Sequence, residues 1–237
     1  MDKTAINKAR SVYYGLFASL LTGMERENQL EPIMQTIALL LENPVDEYSH
    51  KALENMYMML KDGGLEALKE ENDKVFFNPY EGFIPVTASY YDEDRDDGKK
   101  RLEMVNYVLS SKFRRDTDKF KELEDHIGFI LLFMQKLIDE EMQGDAVAQD
   151  LSHKVFTTVL NEFVDEFIVN LHHHVNSCFY EELAVVLQVF MDLERLYLGV
   201  SKPVKEARAR IVVHQNKERK EITPRGKRNI DELTSGL

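Results

Sequence analysis

Apolar residues recur along most of this chain at three- and four-residue intervals, the spacing that gathers side chains on one face of a helix. Alternating stretches of the kind that build strands are scarce. Tyr13, Leu16, Phe17, Leu20 and Leu21 predict a helix over about Thr4–Thr22, with Gly23 as its stop. A second is expected from Glu31-Pro32, where proline suits a first turn, to just before Asn43-Pro44. A third follows Ser49, with Leu53, Met56, Tyr57 and Leu60 on one side and Gly63-Gly64 closing it.

The segment Val75–Pro85 breaks this rhythm. Two prolines and a glycine exclude a long regular helix, yet Phe76, Phe77, Tyr80 and Phe83 require burial or a ligand. It reads as a structured aromatic loop packed on the domain. A charged turn spans 92–100, and a further helix runs from about Lys100 to Ser111. Asp116 or Thr117 is expected to cap a helix leading through 122–142, apolar nearly all round from Ile127 to Met134. Beyond Gly144, Val147, Leu151, Val155, Val159, Phe163, Phe167 and Leu171 recur in steps of four. After a hinge-like His172–Ser177 stretch, Phe179, Leu183, Val186, Leu187, Phe190 and Met191 mark a last core helix. The expected fold is all-α, a bundle or array of about 8–11 helices over residues 1–200.

Charge divides the chain at about residue 200. Residues 1–200 carry 20 Lys and Arg against 37 Asp and Glu, whereas 201–237 carry 10 against 5. The acidic body favours basic partners and argues against nucleic acid. Residues 201–237 read as a basic extension, helical over part of 203–220 and mobile over the last dozen residues. No apolar stretch is long enough to span a bilayer, and the first residues lack a signal-peptide pattern, so the cytoplasm is the expected compartment. A single cysteine, Cys178, excludes an internal disulfide.

Motifs for chemistry are missing: there is no phosphate-binding glycine loop, nucleophile elbow or HExxH arrangement. His172, His173 and His174 with Cys178 form the nearest thing to a ligand cluster, but one thiolate without a further group at characteristic spacing reads as a polar helix junction. Neither a metal, a cofactor of its own, nor catalysis is expected. The densest polar constellation is Glu122, Glu124, Asp125 and His126 at the head of the most apolar helix. Two readings stay open. In one, these are capping carboxylates with a core-edge histidine. In the other, Glu122 and Asp125 both look outward and form an acidic mouth above an apolar groove, suited to a segment with arginine beside hydrophobic residues. There, paired carboxylates would match the guanidinium fork while apolar burial supplies most of the affinity.

The run Glu122-Leu123-Glu124-Asp125-His126, leading into the apolar Phe129–Leu137 segment, resembles the TorD, DmsD and NarJ-like cytoplasmic chaperones of molybdenum-containing redox enzymes. That family's signature is Glu-Pro-x-Asp-His before a long apolar helix; here Leu123 stands at the proline. Asn78-Pro79-Tyr80-Glu81 is similar to its upstream segment. Val159-Leu160 and Phe163 occupy the place of a usual His-Leu-x-x-Trp pattern, without its histidine and tryptophan. The resemblance covers about residues 5–198. It implies a TorD-like helical fold and a non-enzymatic chaperone that binds the twin-arginine signal peptide of a molybdoenzyme catalytic subunit until molybdopterin is inserted. Glu122, Glu124, Asp125 and His126 would lie at the peptide site, with Phe76, Phe77, Tyr80 and Phe83 as candidates for its apolar surface. Weak contact with the molybdopterin cofactor or a guanine nucleotide is compatible with this reading, as is a monomer or a dimer swapped through the Gly144 junction. The competing readings are a regulatory module acting through the basic tail, on nucleic acid or another partner, and a small hydrolase or nucleotide-binding enzyme using Asp125 and His126.

Overall fold

The computed structural model describes residues 2–22, 29–118 and 120–204. Gly23 as a helix stop, and almost all of the basic extension, therefore lie outside the described residues. Within them the chain is all-α, with nine α-helices and no strand: α1 (Lys3–Leu21), α2 (Leu30–Glu42), α3 (Glu47–Asn72), α4 (Ala88–Glu93), α5 (Lys99–Ser110), α6 (Ile127–Met142), α7 (Ala146–Val155), α8 (Asn161–His173) and α9 (Phe179–Leu198). No described helix is long and apolar enough to cross a membrane.

The apolar stripes meet where the periodicity places them. α1 lies along α6 and also touches α2 and α9, while α3 and α8 flank α9. Tyr14, Phe17, Leu20, Ile130, Leu131, Met134, Tyr180 and Leu187 are completely buried in the resulting core. One ion pair is buried with them. Arg10 on α1 grips Glu194 on α9 through Nε at 2.8 Å and Nη2 at 2.6 Å, and the Tyr14 hydroxyl donates to the same carboxylate at 2.9 Å. Glu141 lies 3.7 Å from the same guanidinium, so removing Arg10 would leave Glu194 charged and dry, at a cost of about 3–5 kcal/mol.

The steps of four along residues 147–171 have a visible consequence. An α-helix turns every 3.6 residues, so each step of four overshoots by about 40° and the stripe drifts round the helix. The chain absorbs the drift with a wider π-helical turn at Phe156–Leu160, between α7 and α8. Leu151, Val155, Val159, Phe163, Phe167 and Leu171 are all buried, while Val147, the first in the series, is exposed.

Gly63-Gly64 does interrupt α3 as expected: Gly64 takes φ +65° and ψ −165°, outside the helical region, and a further helical stretch follows it across a kink to Asn72. Two expectations need correction. A second π-helical turn then carries the chain through Asp73–Phe77, so Phe76 and Phe77 sit on helix and not on the loop proper. Finally, no helix starts at Asp116 or Thr117. α6 begins at Ile127, and 111–118 and 120–126 are irregular.

Candidate functional site

Residues 122–127 form a crossing point. Residues 84–88 run extended beside them: the Ala88 amide donates to the Asp125 carbonyl at 2.9 Å, and the Ile127 amide to the Val86 carbonyl at 2.7 Å. Tyr91 fixes that extended piece by donating from its hydroxyl to the Pro85 carbonyl. Each polar side chain of the crossing then serves a different element. Asp125 is completely buried, and its Oδ2 accepts from the Ser89 amide at 2.9 Å in the first turn of α4. Thr87, the residue before α4, makes no side-chain cap itself, so Asp125 caps that helix from a distance. His126 is the N-cap of α6: its Nδ1 accepts from the Gly128 amide at 3.1 Å. Glu124 accepts from Arg101 Nε on α5 at 2.9 Å and from Arg115 Nη1 at 2.6 Å.

The electrostatics follow from these contacts. Burial alone would raise the Glu124 carboxyl, but the hydrogen bonds from Arg101 and Arg115 outweigh it and hold the group below its usual range. Burial pushes the Asp125 carboxyl up, only partly opposed by the bonds from Ser89. Burial also lowers the His126 imidazole to about 4. A neutral ring with an unprotonated Nδ1 is the form that can cap Gly128, and an imidazolium would oppose the helix dipole there.

Asp125 therefore does not look outward beside Glu122, and the pair does not form one acidic mouth. Asp125 and His126 point into different helices, which also separates them as partners in acid–base chemistry. Of the four signature residues, only Glu122 is exposed. It stands on the rim of a cleft of about 870 Å³ between α1, α6 and the irregular 113–122 segment.

Aromatic rings from two of those elements line this cleft. Phe120 packs edge-on against Phe129 at 5.2 Å, Phe129 stacks on Phe133 at 6.3 Å, and Phe113 meets Phe133 edge-on at 6.3 Å. Ala18 and Ser19 of α1, with Thr22 just past its end, also line the cleft. α1 and α6 approach closely at Gly128, where a Cβ would stand 2.7 Å from the Leu21 carbonyl. Asp116, Asp118 and Glu122 supply negative charge; Arg114, Arg115, Lys121 and Lys136 supply positive charge. Arg114 and Arg115 are bound to chain carbonyls, including those of Ser111, Phe113, Phe120 and Lys121. Phe113, Phe120, Phe129 and Phe133 were not singled out from the sequence. Phe129 and Phe133 are four apart and share a face of α6, but that helix is apolar all round, so its pattern marks no face as open.

The aromatic loop divides. Phe76 is buried, edge-on to Tyr180 at 4.9 Å and stacked over Phe167 at 6.4 Å. Phe83 is half-buried, whereas Phe77 and Tyr80 are 64% and 81% exposed. The loop is tied to the α8–α9 junction: His174 Nε2 lies 3.2 Å from the Gly82 carbonyl, and Asn176 Nδ2 donates to Glu81. None of these aromatics lines the Glu122 cleft. His174 is thus buried under the loop, just past the end of α8, and does not share a helix face with Cys178. Among the described residues no group of three or more His, Cys, Asp or Glu is placed to hold a metal ion.

The family model described as nitrate reductase delta subunit matches residues 42–169, more than half of the chain, from the end of α2 through most of α8. The chain belongs to this family, that of the NarJ- and TorD-type redox-enzyme maturation chaperones. Among curated proteins no relative matches.

Proposed function

We propose that this chaperone receives the twin-arginine signal peptide of a molybdoenzyme in the cleft between α1, α6 and residues 113–122, and holds the cytoplasmic precursor until its molybdopterin cofactor is inserted. The observation that carries this reading is the aromatic wall of Phe113, Phe120, Phe129 and Phe133, with Glu122 at its rim, beside the signature turn. The rings offer the apolar burial that supplies most of the affinity. Glu122, Asp116 and Asp118 offer acceptors for guanidinium groups, which give selection more than strength. Glu124, Asp125 and His126 then act as positioning residues: they hold α4, α5, α6 and the 113–122 segment in register, and with them the cleft.

The test is titration calorimetry with a peptide holding two adjacent arginines before an apolar run, alongside a version with both arginines changed to alanine. The native peptide is expected to bind more tightly, and Phe120→Ser to weaken both. Equal binding of the two peptides would remove the arginine component. Undiminished binding by Phe120→Ser would remove the cleft.

A further inference from the structure

Between α3 and the first turn of α9 lies a second depression, of about 530 Å³, that the signal-peptide reading does not use. Met58 and Met59, 50% and 38% exposed, line it. Asp62, Glu71 and Glu182 line it too, and among the described residues no lysine or arginine does. Two of these carboxylates are held in place: Glu71 accepts from the amides of Cys178 and Tyr180, and Glu182 accepts from Asn55 Nδ2 at 2.7 Å. Flexible, polarisable methionines inside a ring of one charge sign suit a segment that is basic and apolar together.

The chain carries such a segment itself. Residues 205–220, outside the described structure, hold six Lys and Arg against two Glu, and Arg208 and Arg210 directly precede Ile211-Val212-Val213. We propose that segment 205–213 docks in this groove in the same chain, with Arg208 and Arg210 toward the carboxylates and Ile211–Val213 on the methionines. The exit path of the chain supports it. After Gly199 in the left-handed region, the Ser201 carbonyl accepts from Asn161, and Lys202 reaches back to Asp192 at 2.9 Å. The last described residues therefore lie beside Asn161, with the Lys202 side chain turned toward Asp192. Ten residues of helix separate Asp192 from Glu182, a rise of about 15 Å. The nine residues from Lys202 to Ile211 span up to about 30 Å when extended, so the apolar run can reach the groove. Tethering holds the segment at an effective concentration of roughly millimolar.

Cys178 lines the groove, is exposed, and is the chain's one cysteine, so it reports on occupancy in the full-length protein. At low salt, maleimide should label Cys178 about tenfold more slowly in the native chain than in an Arg208→Glu/Arg210→Glu variant, the protection expected of a tethered segment docked most of the time. High salt should close that gap by screening. Under diamide, a Val212→Cys variant should form a disulfide to Cys178 within one chain, faster than a Ser235→Cys control. Equal labelling rates, a cross-link in the Val212→Cys variant no faster than in the control, or cross-links found only between chains would overturn the proposal. The peptide titration above reports on the other cleft, so the two readings fail separately.

Discussion

The signature turn at 122–127 and the aromatic loop at 76–83 look in the sequence like two halves of one binding site, and the structure gives them opposite fates. In the turn, the most polar residues are the most committed: Glu124, Asp125 and His126 each complete a different element, and only Glu122 faces solvent. In the loop, side chains of one chemical type separate, Phe76 into the core and Phe77 and Tyr80 toward water. A concentration of carboxylates at a helix start thus reports first on unpaired amides needing acceptors, and only at its margin on a ligand. Aromatics in a segment without a clear period report burial one residue at a time.

The sharpest break of this comparison lies inside the loop. Phe76→Ala should destabilise the protein by about 3–5 kcal/mol in urea unfolding, whereas Phe77→Ala should stay within about 0.5 kcal/mol. Similar losses for both would mean that the loop acts as one packed unit. The next effect is pH-dependent. His126 titrates near 6.5 when unfolded and at about 4 in the fold, so its contribution is complete above pH 6.5 and falls away as pH drops toward 4. The loss is about 3 kcal/mol, and His126→Asn, which keeps a capping oxygen, should flatten the stability profile in that window. Asp125, with its carboxyl raised, works with the opposite sign: its contribution is present below its unfolded value and is lost as pH rises through the folded one. An unchanged slope in His126→Asn would exclude the imidazole as its source.

Asp125→Ala comes third, at about 1–2 kcal/mol, because it removes the cap of α4. Any weakening of peptide binding should follow that loss of stability and be equal for peptides with and without arginine. A weakening confined to the arginine peptide would return Asp125 to the ligand. Glu122→Gln should be the smallest: stability unchanged, and binding of the arginine peptide reduced only a few-fold, less so at high salt. Calorimetry at two ionic strengths measures it.

Most of the helices were legible because their stripes are regular and their partners are other stripes. The start of α6 was not. Residues 116–125 contain helix-tolerant Lys, Glu and Leu after good capping residues, yet Arg115 turns its guanidinium onto the carbonyls of Phe120 and Lys121 and holds the backbone out of helix. That competition depends on where Glu124 places the arginine, a contact set by tertiary structure. The same limit hid the cleft, since only the packing of α1 against α6 decides which side of an all-round apolar helix stays open. Phe76 and Phe77 were indistinguishable for a related reason: neighbours on a helical turn point in different directions, and the sequence did not reveal that the turn was helical.

The wide turn at Phe156–Leu160 acts as a phase adjuster between two rods that would otherwise be one. Everything downstream inherits its setting, including the bonds from Arg195 to Asn161 and from Asn170 to Tyr91. Deleting one residue there would rotate α8 by about 100° relative to α7. A one-residue deletion there is therefore expected to disturb α8 more than a size-conserving exchange of any one of its side chains.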